Sequence, residues 1–380
     1  MSAPLQVVHG QPSWRLANGT VEAFVTEMGG HLGPVAFRLG DRTVQPYHVA
    51  PWAEEATDGL PPMLKALRGD FFCLPFGGGA PFRSEEHPPH GETANAAWTF
   101  DGLDREADRT TLRLSLETTV RPGRVTKEVA LVDGHAALYQ RHTIAGMTGP
   151  VSLGHHAMLR FPDREGSGLV AAAPFVLGQT SPVPVEDPAQ RGYSLLKPGA
   201  TFDALDAVPT VTGEAADLSR YPARRGYEDL VLLASDPAAA LGWTAVTFPA
   251  EGFVWFTLKD PRVLRQTVLW LSNGGRHYPP WSGRHTNVLG LEEVTSYFHL
   301  GLAASAAPNP LSERGIPTSV DLDGRPFTVA CIAAVAAVPE GFDHVADVRA
   351  HEGEDAVTLT SRCGAAVTVP LRHRFLQGAA

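Results

Sequence analysis

Polar and apolar residues alternate along most of the chain in short runs. In "TTLRLSLETTV", Leu112, Leu114 and Leu116 fall on one face of an extended segment, and Arg113, Ser115 and Glu117 fall on the other. A period of two is the mark of a strand buried on one side. The same pattern, or a short apolar run, returns in "GTVEAFVTEMGG", "RVTKEVAL", "LGWTAVTFP", "GFVWFTLKD", "LRQTVLWLS" and "AAVTVPL". Between the runs lie turn residues, drawn from 38 Gly and 32 Pro. Regular turns between short strands predict antiparallel pairing and an all-β fold. Helix is predicted only as one or two turns in "PWAEEATDGLPPMLKALRG" and as a short segment after the strand in "NVLGLEEVTSYFHLGLAASA". The Pro/Gly-rich stretch 178–200 reads as a long loop. The residues after "NPLSERGIPTS" read as closing strands of the same sheets. The expectation is one large two-sheet domain over residues 1–380.

Composition narrows the function. The chain is 43% hydrophobic and 19% charged, as in a soluble globular protein, and its formal net charge of −10 opposes non-specific binding to nucleic acid or anionic membrane. Cys73, Cys331 and Cys363 are far apart, so neither a disulfide scaffold nor a CxxC site is expected. "MSAPLQVVHG" lacks the basic start and apolar stretch of a secretory leader, and "VACIAAVAAV" is about half the length that spans a bilayer. The expected location is cytoplasmic, with no nucleic-acid or membrane partner and a monomer or homodimer as the assembly. "PFGGGAPF" is followed by no Lys-Ser/Thr and sits in no βαβ unit, so it is neither a phosphate loop nor a dinucleotide fingerprint. No G-x-S-x-G elbow is present.

Three stretches place histidine or carboxylate in apolar or glycine-rich surroundings: "EEHPPHGETANAAW" with His87 and His90, "PVSLGHHAMLRF" with His155 and His156, and "NVLGLEEVTSYFHLG" with Glu292 and Glu293. Adjacent residues of a strand face opposite ways, so each of the last two pairs supplies one member to a given pocket. A histidine near neutrality and a buried Glu make an acid–base set. A competing reading takes His87 and His90 with Glu85, Glu86 or Glu92 as metal ligands, although the two intervening prolines break the helical spacing such a motif uses. Trp98, Trp243, Trp255, Trp270 and Trp281, with Phe82, Tyr227 and Tyr278, suit either a sheet core or a cleft that stacks sugar rings.

In order, these pieces resemble the galactose mutarotase-like superfamily, which includes the aldose 1-epimerases and their hexose-6-phosphate relatives. "HGETANAAW" resembles the family's His-Gly segment, with Trp98 eight residues after His90. "PVSLGHHAML" resembles the strand that carries its second histidine, at His156, and "VLGLEEV" the segment that carries its glutamate, at Glu292. "KPGATFDAL" and "RRGYEDLVLL" resemble two further segments and put Glu228 where a substrate-binding Asp stands. Two positions depart. Ala94 replaces the arginine of the phosphate-binding relatives, leaving Arg68 or Arg83 to substitute, and "RGDFF" puts Phe71 where an arginine would stand. The resemblance implies a β-supersandwich of large twisted antiparallel sheets and a cofactor-free reaction on a small-molecule carbohydrate. Glu292 would be general base, His156 general acid and His90 a stabilising hydrogen-bonding group. Glu228, His155, Asn95, Arg68 and Trp98 would contact substrate. The superfamily also holds sugar-binding proteins without turnover.

Overall fold

The structure is a computed structural model that describes residues 4–56 and 58–378. Met1–Ala3, the start of the stretch read above for a leader, lie outside the described residues. Two large antiparallel sheets face each other. One has nine strands and runs from Arg220–Tyr221 at one edge to Thr99–Glu106 at the other. The second has eight. Its central strands are Glu228–Ser235, Gln266–Ser272 and Val288–Thr295, and the last of these pairs with both Leu153–His155 and Ala157–Arg160. An N-terminal sheet of five strands, from Gln6–Val8 to Arg42–Val44, contributes Trp14, Leu16, Val21 and Phe37 to the same core.

The alternation seen in the sequence explains the layers. Leu112, Leu114 and Leu116 point from the nine-stranded sheet into the space between the sheets, where they join Leu269, Leu271, Leu289 and Leu291 of the eight-stranded one. Strands apolar on both faces are covered on both sides. In Phe253–Lys259 every residue is buried: Trp255 faces the inter-sheet core, and Val254, Phe256 and Leu258 face outward.

Here the C-terminal expectation is corrected. Phe327–Ala337, which contains most of "VACIAAVAAV", is a central strand of the nine-stranded sheet. The last three strands, Val345–Ala350, Ala356–Ser361 and Ala366–Pro370, instead form a separate sheet. Val348, Val357, Leu359 and Val369 lie over the outward apolar face, so they serve as a cover and do not extend the ladder. The helices are short, Pro62–Ala66 and Gly301–Ala306, and among the described residues none is long and apolar enough to cross a membrane. A third buried cluster, with Trp52, Phe71, Phe76, Met158, Val268, Trp270 and Trp281, covers the outer face of the eight-stranded sheet. The candidate site lies in that layer.

Candidate active site

Strand Val288–Thr295 separates the two glutamates. Glu292 lies on the outer face with Val288 and Val294, and Glu293 on the inner face with Leu289 and Leu291. The Glu293 carboxylate meets Lys259 Nζ at 2.6 Å and accepts from the hydroxyls of Thr244, Thr257 and Thr267. Burial pushes its pKa up, but Lys259 and the hydroxyls of Thr244 and Thr267 outweigh that and hold it below the ordinary carboxylate range. It is an inter-sheet ion pair and is sealed from the outer layer. Glu292 has a different setting. Its Oε1 lies 3.3 Å from His156 Nε2, burial pushes its carboxyl well above the ordinary range, and the charge of Arg276 pulls the other way. Gly290 makes room for it. A Cβ at position 290 would stand 2.8 Å from Glu292 Oε1 and 3.0 Å from the Cβ of Trp270, its partner on the neighbouring strand.

The histidine pair divides the same way. His155 turns inward, with Nδ1 3.1 Å from Asp70 Oδ2 and its ring beside Phe72 and His142. His156 stands at the break between two strands, where its backbone N–H donates to Phe71 O at 2.9 Å and to Asp70 Oδ1 at 3.0 Å. Asp70 thus joins the inner histidine to the backbone of the outer one. The His156 ring packs on Phe71 at 4.6 Å and edge-on to Trp270 at 5.7 Å. Burial and nearby His90 hold it neutral, far below the usual histidine range.

His90 completes the group. Its ring centre is 5.0 Å from that of His156, and it packs edge-on to Phe71 and Phe76. Its backbone is left-handed, with φ of 62°, and is tied to Gly77 O by a 2.8 Å hydrogen bond. The next residue must be glycine: Gly91 has φ of 75°, and a Cβ there would lie 1.9 Å from Leu74 O. The "HPPHG" turn therefore has a steric reason for its glycine. Burial draws the His90 pKa down to about 3.

Glu228 stands beside this group with its carboxyl fully engaged. Oε2 accepts from Trp270 Nε1 at 3.0 Å, and Oε1 accepts from Ser272 Oγ at 2.9 Å and Gly275 N at 3.2 Å. Burial raises its pKa to about 7 against the pull of Arg276. It orients Trp270, the wall of the site. Four of the expected substrate contacts are placed elsewhere. His155 faces the inter-sheet core. Arg68 is fully buried and donates to the carbonyls of Ala66, Val8 and His9, pinning the N-terminal hairpin. Asn95 ties its own loop through Pro89 O, Gly91 O and Met63 N. Trp98 is in the inter-sheet core with Nε1 on Thr93 O. Arg68, Asn95 and Trp98 thus partner backbone groups, and His155 partners the Asp70 carboxylate.

The stretch "EEHPPHGETANAAW" likewise resolves into separate contacts. Glu85 accepts from Arg121 and lies 2.8 Å from His87 Nε2, and Glu92 accepts from the backbone of Thr119 and Val120. Among the described residues no group of three or more His, Cys, Asp or Glu is placed to share a metal ion.

The sequence reading missed several neighbours. Arg276 lies over Trp281 at 4.5 Å and Trp270 at 5.3 Å, and its Nε meets Glu186 Oε1 at 2.5 Å. His285 stacks on Trp270 at 5.3 Å and meets Ser272 Oγ at 2.6 Å, and Trp52 packs on Trp281 at 4.9 Å. His31 stacks on the face of Phe71 at 4.2 Å, so that ring lies against two histidines where the resemblance leads one to expect an arginine. Arg276 and His285 both come from "GGRHYPPWSGRHTN", a Gly/Pro-rich loop dense in aromatic and basic residues, and that density was the available signal.

No family model and no curated protein matches the chain in sequence. Solved structures do match in shape. A protein named as a candidate aldose 1-epimerase from Escherichia coli K12 is 13% identical with a TM-score of 0.58, covering 87% of this chain and all of its own. A galactose mutarotase-like protein from Clostridium acetobutylicum is 12% identical at 0.55, covering 88% and 98%. A protein from Synechocystis sp. PCC 6803 is 14% identical at 0.54, covering 89% and 98%. At such identities the likeness speaks for the fold: the chain has the large antiparallel sheets of the galactose mutarotase-like proteins.

Proposed function

We propose that this protein interconverts the anomers of a small carbohydrate by general acid–base catalysis, with no cofactor. The observation that carries the reading is the contact of Glu292 with His156 at 3.3 Å, beside His90 and a wall of Trp270 and Trp281. Burial disfavours charge on either partner, so the pair as a whole holds one proton, as carboxylic acid and neutral imidazole. Moving that proton internally gives carboxylate and imidazolium. The carboxylate takes the proton of the anomeric hydroxyl, and the imidazolium protonates the ring oxygen. The C1–O5 bond breaks to the open-chain aldehyde, rotation about C1–C2 exposes the other face, and reclosure reverses both transfers. The pair ends with the single proton it began with. The charge of Arg276 favours the carboxylate form, and the tryptophans offer flat apolar faces to the C–H side of a sugar ring.

The test is anomer exchange across a panel of aldoses, followed by NMR in the wild type, Glu292→Gln and His156→Ala. Loss of a general acid or base costs on the order of 10²–10⁴-fold. Equal rates in all three proteins would remove both roles. A second reading, a sugar-binding protein without turnover, is favoured by Phe71, which fills with an apolar ring a place where the resemblance leads one to expect an arginine. It predicts saturable sugar binding with no acceleration of exchange.

A further inference from the structure

Cys73 takes no part in the proton transfers above, yet it is fully buried against one of the three residues that the reading uses. Its Sγ lies 3.3 Å from His90 Nδ1. A second group approaches the same nitrogen: the backbone N–H of Gly77, at 3.4 Å. A backbone N–H can only donate, so Nδ1 presents its lone pair to it. The sulfur must then be the other donor, because two lone pairs facing each other would repel. Burial, with Glu292 and Asp70 near, keeps the thiol protonated, and burial likewise keeps the imidazole neutral. Among the described residues the thiol's other acceptor is Phe71 O, farther away at 3.9 Å. A neutral imidazole whose Nδ1 accepts carries its hydrogen on Nε2.

We infer that Cys73 is a positioning residue that fixes His90 in the Nε2–H tautomer, making it a hydrogen-bond donor of constant polarity on the site side of its ring. The inference rests on the reading that His90 belongs to the site, and it sharpens that reading. His90 does not exchange protons with substrate. It offers N–H to an oxygen on which negative charge grows as the ring opens. Strand Phe72–Cys73 supplies the thiol, and the left-handed turn at His90 brings the ring to it. The titratable groups near the ring are His156, His31, His299 and Cys73 itself, and burial keeps each in its neutral form.

The experiment is long-range ¹H–¹⁵N NMR of protein labelled at histidine, in the wild type, C73S and C73A, with the His90 signals assigned by their loss in His90→Gln. The wild type and C73S should show an unprotonated Nδ1 and a protonated Nε2 across about pH 5 to 8. C73A should show the Nδ1 signal moving toward a tautomer mixture. If anomer exchange is present, its kcat should fall about 2- to 10-fold in C73A and recover in C73S. A protonated Nδ1 in the wild type overturns the inference, and so does a tautomer unchanged in C73A. If C73A does not fold, the wild-type spectrum still decides by the first criterion. A wild type with no exchange activity defeats the proposed function and leaves the tautomer measurement standing, so the two failures are distinguishable.

Discussion

At the scale of single residues, the structure divides charged and polar groups by what holds them. Arg68 and Arg276 differ in what holds them: Arg68 is closed on three backbone carbonyls, whereas Arg276 lies over two tryptophans, with its charge felt at Glu292 and His156. Arg68→Ala should therefore cost about 2–4 kcal/mol in urea unfolding, because a fully buried side chain and its bonds to one buried and two part-buried carbonyls are lost, and should leave sugar affinity unchanged. A large loss of affinity at unchanged stability would return Arg68 to the site. Arg276→Gln is expected to act on chemistry. The Glu292–His156 pair works with its single proton in place, so exchange should fall as pH rises through a midpoint well above the usual glutamate range, where that proton is lost. Removing a cation that favours the carboxylate should move that midpoint to still higher pH. The pH–rate profiles of the two proteins check it, and coincident midpoints would exclude the electrostatic role.

At the scale of elements, the strand Val288–Thr295 carries Glu292, paired with His156, on one face and Glu293, paired with Lys259, on the other. Glu293→Gln removes the charge facing the fully buried Lys259, which should cost about 3–5 kcal/mol by thermal or urea unfolding. A loss confined to activity would mean that Glu293 reaches the site. Gly290→Ala tests the other face. A methyl group 2.8 Å from Glu292 Oε1 and 3.0 Å from Trp270 displaces one or both. Exchange should fall by at least tenfold with a smaller change in stability, since a shift of about 1 Å in a reacting group can cost on the order of 100-fold. The alternation that makes these outcomes opposite is plain in "VLGLEEV". Which parity faces outward is not, because Val288 and Leu289 are equally apolar and both faces of the strand are buried.

The molecule as a whole buries an unusual set of titratable groups. His31 and His90 are drawn down to about 3 and His48 and His299 to about 4, while burial holds His142, His156 and His285 lower than the ordinary range by a wide margin. A histidine depressed in the fold lends stability above its unfolded value of 6.5, and that stability is lost as pH falls toward the folded value. Three carboxyls oppose this. Glu228 at about 7, Asp229 at about 6 and the raised Glu292 lend stability at low pH that disappears as pH rises through their folded values. Seven histidines outweigh three carboxyls, so net stability should fall between pH 6.5 and pH 5. The rate is about 1.4 kcal/mol per pH unit for each excess proton that the unfolded chain binds. Urea midpoints across that window check the sign, and a flat or rising profile would contradict it.

The period of two and the density of turns were enough for an all-β fold of large antiparallel sheets, because alternation and burial are local consequences of a pleated strand. The ordered motifs were enough to single out His90, His156 and Glu292, which the fold brings into one group. Other features depended on contacts between distant segments, which no local pattern encodes. The closing strands became a cover because the outward face of the nine-stranded sheet is itself apolar, a fact of assembly and not of any one strand. Arg68, Asn95 and Trp98 became structural because they are the hydrogen-bond partners of backbone groups up to 60 residues away, Arg68 and Trp98 as donors and Asn95 as acceptor from Met63 N–H. Arg276 and His285 reached Trp270, beside Glu292 and His156, only through the fold of a loop, and Cys73 met His90 at a separation of 17 residues. Residue type and periodicity determined which side chains were able to do chemistry, and tertiary packing decided which of them meet, because proximity and desolvation exist only once the sheets have closed.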